Sequence, residues 1–492
     1  MASRKDQLHS YQFMMQRVVS SVMVHETDPE QTPLRRSVGA VFGSVMIAAI
    51  IAAVFGIVGV LTNTGGSSWQ SDGSVVIERE TGAAFVYLDG ELQPVLNYAS
   101  ARLLAGSGST PAAAAAGMRG GRMGAAANTG EPFRVAGKSL AGIPRKPMVG
   151  IAGAPDSLPP PDRAITAPWM SCTHLGQDAS GSPSISTEVR VGVEETERDS
   201  LGNSALLVRD NESGTRYLIW NNHRYRFAGA DPDRLLRSIF GFGNRIVDVG
   251  SAWLNALPAG PDLRDIGIDG HGGETAAVPG HQIGDLLHHP VGTGEQYYVV
   301  LREGLAPITP LQMRIILGQH STEPTPVSAS MAGNVPVADV LNGQQGPTAP
   351  PTNPPPVADI PDSEPVSLCA TTTGAGTRST VSMTTGSLAG AEGAPTVGQS
   401  QSGGVLADRI HVPPGQVAVV RAMPSDTAQG GALNVVTDEG VRYPVPTDEE
   451  LSSLGYDPNT AVPMPAALVQ RIPAGPTLSS AAAGTPATPE TH

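Results

Sequence analysis

Three groups of residues in this chain carry the atoms that catalysis or metal binding would need. Gly137, Lys138 and Ser139 spell the end of a phosphate-binding loop, His271, His281, His288 and His289 crowd one stretch as metal ligands do, and Cys172 and Cys369 are the only two thiols. The phosphate loop, G-x-x-x-x-G-K-[ST], needs glycine at position 132 so that backbone amides can wrap a phosphate. Pro132 stands there and has no amide proton to give. The histidine spacing matches no zinc pattern and lies in glycine-rich sequence, so these side chains read as surface residues. G-x-S-x-G, S-x-x-K, HExxH and CxxC are all absent. The acidic pairs Glu194–Glu195 and Glu449–Glu450 fall in solvated or helix-entry contexts, and nothing specific favours a two-carboxylate glycosidase. These residues assign no catalytic side chain, no cofactor and no metal.

Composition narrows the classes further. With 492 residues and roughly 150 per domain, about three folded units are expected. Gly 58 and Pro 44 bring the chain close to the level at which low-complexity segments appear, so parts of it are not expected to pack. A formal charge of -14 argues against a nucleic-acid binder, which needs a basic footprint.

The element that positions everything else is Val38 to Leu61, which holds no ionisable residue. At about 1.5 Å per residue it reaches roughly 36 Å, enough to cross a hydrocarbon core of about 30 Å. A signal peptide is excluded because 37 residues of polar, foldable sequence precede it. Arg35 and Arg36 abut its first end, and the next basic residue after it is Arg79, so the N-terminus is predicted to be cytosolic and the rest to lie outside. Both cysteines then fall on the oxidising side, and a Cys172–Cys369 disulfide is predicted. Closing a loop of nearly 200 residues, it would contribute about 5 kcal/mol in the chain-entropy model. Before the span, Leu8, Tyr11, Met15, Val18 and Val22 recur every three or four residues, one apolar face of a helix. An isolated helix of this length is marginal in water, so it is expected to dock on a partner or on the bilayer surface.

Outside, a strand, turn, strand and helix unit recurs four times: Asp89 to Gly106, Asn221 to Gly241, Glu303 to Gly318 and Glu439 to Tyr456, each after an apolar strand. Gly90, Gly304 and Gly440 suit the turns, with Asn222 and His223 in the second copy; Asn97, Asp231, Thr309 and Thr447 suit the helix N-caps. A further strand precedes each unit, at Val75 to Ile77, Leu206 to Val208, Ile283 to Leu287 and Val417 to Val420. LPAGPDL (Leu257 to Leu263) and IPAGPTL (Ile472 to Leu478) form a related pair.

The predicted fold class is α+β: one N-terminal transmembrane helix, then a multi-lobed extracytoplasmic domain of four small α+β repeats around a β-rich core. The expected organisation runs as a cytosolic helix and linker (1–37), the span (38–61), repeat 1 (75–106), a flexible insertion (107–130), a core segment (131–200), repeat 2 (205–241) and a connecting segment with LPAGPDL (242–280). It continues with repeat 3 (281–318), a Pro-rich linker (321–365), a core segment with a flexible Thr/Ser/Gly stretch (366–412), repeat 4 (417–456), a C-terminal segment (457–478) and a disordered tail (479–492).

The N-terminal string from Ser3 to Leu61 resembles the EccB family, the B component of the actinobacterial type VII (ESX) secretion machine. Leu92 to Gly106, Ser139 to Pro159, Pro168 to Cys172 and Gln296 to Gln312 extend the resemblance over most of the chain, while the insertion at Ser107 to Gly130 departs from it. The resemblance implies a single-pass subunit of an inner-membrane complex with EccC-type ATPase, EccD-type and EccE-type subunits and other EccB copies as partners. It also implies a disulfide-linked periplasmic core. A scaffold role follows, with an extracytoplasmic ATPase or a module in contact with the cell wall as alternatives.

Overall fold

The computed structural model describes residues 3–487 apart from 24, 26–33, 62–66, 108–130, 178–179, 193–198, 339–345, 347, 362–364, 374–378, 386–392, 401–402 and 426–427. It divides into two compact units, Met1–Gln70 and Ser71–His492. The first holds two helices, α1 (Arg4–Met23) and α2 (Leu34–Leu61). Within α2 the apolar span runs Val38–Ile57, at a mean hydropathy of 2.5 and with none of it buried. By length and composition this helix is long and apolar enough to cross a membrane.

The second unit holds four lobes of one design. Lobe 1 comprises β1 (Ser74–Glu78), β2 (Ala84–Leu88), β3 (Glu91–Val95), α3 (Tyr98–Ser107), β4 (Phe133–Val135) and α4 (Gly137–Leu140). After it come β5 (Ala164–Ile165), β6 (Trp169–Gln177), β7 (Pro183–Val191) and β8 (Asp199–Ser200). Lobe 2 is β9 (Leu206–Asp210), β10 (Arg216–Trp220), β11 (His223–Arg226), α5 (Pro232–Phe240), β12 (Val247–Val249) and α6 (Ser251–Ala256). Lobe 3 is β13 (Leu286–Val291), β14 (Gly294–Leu301), β15 (Gly304–Ile308), α7 (Pro310–His320), β16 (Thr325–Pro326) and α8 (Ala329–Asn334). Next are β17 (Val366–Thr372), β18 (Ser379–Thr385), β19 (Ala394–Pro395) and β20 (Arg409–His411). Lobe 4 is β21 (Val417–Met423), β22 (Ala432–Thr437), β23 (Arg442–Val445), α9 (Asp448–Leu454), β24 (Val462–Pro465) and α10 (Ala466–Val469), followed by α11 (Ser480–Ala483).

In every lobe three strands form an antiparallel meander, and a helix then returns the chain so that a fourth strand pairs parallel with the first. A parallel return needs such a crossover, whereas the meander needs only tight turns. Asp89–Gly90 and Asn221–Asn222 turn with positive φ at both positions, the geometry of a two-residue hairpin. The sequence reading put the second turn one residue late, because His223 already starts β11. The helices start on side-chain caps: Asn97 accepts from Ser100 N–H, Asp231 from Arg234, Thr309 from Gln312 in a capping box, and Thr447 from Glu450.

Beyond the fourth strand, a proline-bearing strip lies along the third strand of each lobe. Leu92, Arg224, Leu305 and Arg442 each donate a backbone N–H to Pro144, Pro258, Pro336 and Pro473 respectively. The strip covers an edge that would otherwise expose unpaired backbone groups, and proline is tolerated there because its missing N–H faces outward. LPAGPDL and IPAGPTL are thus two of four equivalent strips. Residues 143–149 and 335–338 are the others, and sequence reading missed them because only the proline is shared.

The lobes pair. Leu235, Leu236 and Ile239 of α5 share one core with Leu311, Ile315 and Ile316 of α7, joining lobes 2 and 3. Ala99 and Leu103 of α3 share another with Leu451 and Leu454 of α9, joining lobes 1 and 4. The two remaining segments build a central seven-stranded sheet of order β19-β20-β7-β6-β17-β18-β8.

Several expected boundaries give way to packing. The tail expected to be disordered is ordered to residue 487: Ser479 caps α11, Ala483 is fully buried, and Ala487 N–H donates to Met148. Small side chains let it lie close to α3, so little apolar area suffices. The Pro-rich linker supplies β16, α8 and the strip of lobe 3, and Pro356 accepts from Ala205 N–H. The Thr/Ser/Gly stretch supplies β18, whose Ser-Thr-Val-Ser-Met-Thr-Thr pairs along β17. The first strand of lobe 3 starts at Leu286 rather than Ile283. The insertion's residues 108–130 lie outside the described residues.

Candidate functional site

The residues with chemistry in them resolve as structure. Gly137 opens the four-residue α4, and its N–H donates to Glu80 Oε2 at 2.8 Å; Glu78 Oε1 lies where a Cβ on Gly137 would stand. Two carboxylates therefore face the amide that a phosphate loop would turn to its anion, and they repel one. The four histidines disperse: His271 stacks on His320 at 3.7 Å, His281 sits 3.5 Å from Asp285, His288 bonds Glu295 at 3.0 Å, and His289 stacks on Tyr298 at 5.6 Å. His289 is buried, not a surface residue. Among the described residues no three His, Cys, Asp or Glu converge as metal ligands. Glu450 Oε1 accepts from Ser480 N–H, and Glu194–Glu195 lie outside the described residues.

What the fold assembles instead is a set of seams. Cys172 of β6 and Cys369 of β17 stand directly opposite in antiparallel register, bonded at 2.09 Å with Cα atoms 4.0 Å apart. Both are buried beside Met170, so the bridge crosses the middle of the central sheet and links the two segments that build it. The two helix crossings of the lobe pairs use the same arginine and glycine spacing on one helix and differ by one residue on the other. Arg102 donates to Ser453 O at 3.2 Å and Gly106 closes on Ser453; Arg314 donates to Ile239 O at 2.6 Å and Gly318 closes on Ser238. Arg-x-x-x-Gly is therefore one crossing used twice. The strips repeat in the same way: Gly260 lies flat against Tyr225 and Gly475 against Tyr443, where a Cβ would stand 2.6 Å from Cδ1 in both cases. Burial pushes the Tyr225 hydroxyl up to about 12.

In the first unit, Leu8, Tyr11, Met15, Val18 and Val22 all lie on α1 and are exposed, Val22 at 73%. Phe13 and Met14 are exposed off that row, so the apolar surface is wider than one stripe. Arg35 and Arg36 fall in the first turn of α2.

The family model for the type VII secretion system ESX-1 transport TM domain B (EccB) matches residues 1–488. The chain belongs to the EccB family. The curated relatives include a protein of Mycolicibacterium smegmatis named ESX-3 secretion system ATPase EccB3, 28% identical, covering 96% of this chain and 89% of the relative. Another, from Mycobacterium marinum, is named ESX-5 secretion system ATPase EccB5; it is 27% identical and covers 97% and 92%. Among solved structures, a chain of an intact ESX-5 inner membrane complex superposes with TM-score 0.60 at 25% identity, covering all of this chain and 97% of that one. A chain of the EccB3 dimer from the ESX-3 core complex gives 0.58 at 25% identity over 83% and 99%. This EccB family member is a component of a type VII secretion system, with a mixed α+β fold and one apolar N-terminal helix.

Proposed function

We propose that the chain is a structural, single-pass subunit of the ESX translocon whose sheet-rich body scaffolds assembly on the outer side of the cytoplasmic membrane. The observation that carries this reading is the full-length likeness to a chain of the ESX-5 inner membrane complex, membrane helix included. Lobes locked by twin helix crossings and a buried disulfide suit a rigid frame. In this reading α1 stays in the cytosol, held by Arg35 and Arg36 at the membrane edge, and its row Leu8, Tyr11, Met15, Val18 and Val22 docks on EccC-type, EccD-type or EccE-type subunits. Other copies of the chain are the partners of the body, in keeping with the EccB3 dimer.

Relatives bear the word ATPase, and hydrolysis is the rival reading. The carboxylates around Gly137 give it no support at the one phosphate-loop-like stretch. The test is affinity purification of the tagged full chain with its membrane partners. Leu8→Asp, Met15→Asp or Val18→Asp should strip the translocon subunits from the eluate while the chain itself stays in the membrane. Undiminished co-purification refutes the docking role, and ATP turnover abolished by a single substitution in the purified chain refutes the scaffold reading.

A further inference from the structure

The strips of lobes 1 and 2 bond in the same way along the edge that faces their own sheet. Five residues past Pro144, Val149 donates its N–H to Pro94 O at 3.1 Å and accepts from Leu96 at 3.0 Å. Five residues past Pro258, Leu263 donates to Arg226 O at 2.8 Å and accepts from Ala228 at 2.8 Å. Along an extended chain the residues on either side then turn their N–H and C=O to the opposite edge. In lobe 1 that outer edge is taken. Thr485-Pro486-Ala487 lies antiparallel along it, with Pro486 opposite Val149, Gly150 N–H donating to Thr485 O at 3.1 Å and Ala487 N–H donating to Met148 O at 3.0 Å. Proline fits in the middle of the phrase because no N–H is needed there.

In lobe 2 the equivalent groups, Asp262 C=O and Arg264 N–H, bond nothing among the described residues. They belong instead to the wall of a cleft of about 490 Å³, within the size range of a ligand pocket. Residues 261–267 form that wall, Leu311 and Ile315 of α7 stand across from it, and Pro350 and Pro351 close it. Arg226 takes both carboxylate oxygens of Asp262, and Arg234 bonds both of Asp265. Arg264 is exposed and its guanidinium has no partner among the described residues, so the cleft keeps one positive charge without a counter-charge.

We propose that the cleft receives Thr488-Pro489-Glu490 of a second copy of the chain as an added strand. The phrase Thr-Pro-Ala that fills the edge of lobe 1 is followed at once by Thr-Pro-Glu. Set in the same register, Pro489 stands opposite Leu263, Arg264 N–H donates to Thr488 O, and Glu490 N–H donates to Asp262 C=O. The Glu490 carboxylate then lies on the diagonal to Arg264, a separation that two long side chains span. Ala487 is held on lobe 1, and three further residues extend at most about 10 Å, so the cleft on the lobe 2 and 3 pair is filled from another copy. Leu96 and Met148, exposed beside Ala487, are the apolar surface that this copy covers. The inference rests on the reading that other copies are partners of the body, and it names the edges they use.

The test mixes two differently tagged full-length chains in mild detergent under oxidation, one Arg264→Cys and the other Thr488→Cys. Residues opposite each other in antiparallel register bridge readily, as Cys172 and Cys369 do. A species carrying both tags at twice the chain mass, lost on reduction, is expected. Val397→Cys, an exposed position outside the cleft, should not give it with Thr488→Cys. In parallel, a labelled peptide of residues 485–492 should bind the unsubstituted chain saturably. Arg264→Glu should weaken that binding about threefold to tenfold, and Glu490→Lys in the peptide should regain the loss. Arg264 bonds nothing in its own chain among the described residues, so the substitution leaves folding intact. Tags that co-purify without the mixed cross-link keep the copies as partners and overturn this contact. So do equal cross-linking through Val397→Cys and peptide binding that is absent or indifferent to Arg264→Glu.

Discussion

Gly318→Ala should destabilise the crossing of α5 and α7, and Ser238→Gly should reverse the sign of that effect. A Cβ on Gly318 would overlap Ser238 Cβ and stand 2.7 Å from its Oγ, while Ser238 Cα lies 3.6 Å away. Because Ser238 Cβ is fixed to its helix, the helices must part, and overpacking of this kind costs about 1–3 kcal/mol. Alanine in place of helical glycine returns about 1 kcal/mol, leaving a net loss of roughly 0–2 kcal/mol. In the Ser238→Gly background the nearest obstacle is the Cα in ordinary contact, so the same substitution should stabilise by up to about 1 kcal/mol. The coupling between the two sites is then about 1–3 kcal/mol. The matching pair, Gly106 and Ser453, should be rescued only in part, since Ser453 Cα would remain 3.2 Å from the new methyl. Hydrogen-exchange protection of the α5 and α7 amides reports the crossing locally, without requiring the whole body to unfold as one. Equal destabilisation by Gly318→Ala in both backgrounds would refute the close-approach argument.

Three further outcomes are expected. Cys172→Ser should cost about 2–5 kcal/mol in denaturant unfolding, and the intact chain should gain two mass units on reduction. Gly475→Ala should lower stability by about 1–3 kcal/mol as its methyl meets the Tyr443 ring, with Gly260→Ala doing the same at Tyr225; unchanged denaturation midpoints would remove the strip from the list of stabilising features. For His320, burial and then the neighbouring His271 push the imidazole below its ordinary range, with Asp265 opposing and Arg234 adding to the effect. A depressed value means stability is present above the unfolded value of about 6.5 and is lost as pH falls through the folded one. Thermal unfolding between pH 7.5 and 5.5 should fall more steeply for the natural chain than for His320→Gln.

The parts of the fold legible in the sequence are those specified locally. Apolar runs such as Ala84–Leu88 and Gly294–Leu301, glycine turns and the caps Asp231, Thr309 and Thr447 each carry their own instruction. The fourth strands were invisible because Phe133–Val135 and Thr325–Pro326 are too short to show a period. Strand β18 was hidden by serine and threonine, which pair well in the middle of a sheet but carry no apolar signal. The pairing of lobe 1 with 4 and of 2 with 3 is a long-range choice. Its sequence trace is the shared spacing of Arg102 with Gly106 and of Arg314 with Gly318, legible only once both helices are seen crossing.

The order of the lobes along the polypeptide sets an order of completion. Lobes 2 and 3 are consecutive and can close on each other as soon as residue 338 has emerged. Lobe 1, made first, must wait for α9 and for the segment around Ala483 and Ala487, the last described residues of the chain. The protein is nested like brackets, the inner pair shut before the outer, and lobe 1 stays unfinished until the segment through Ala487 has been made.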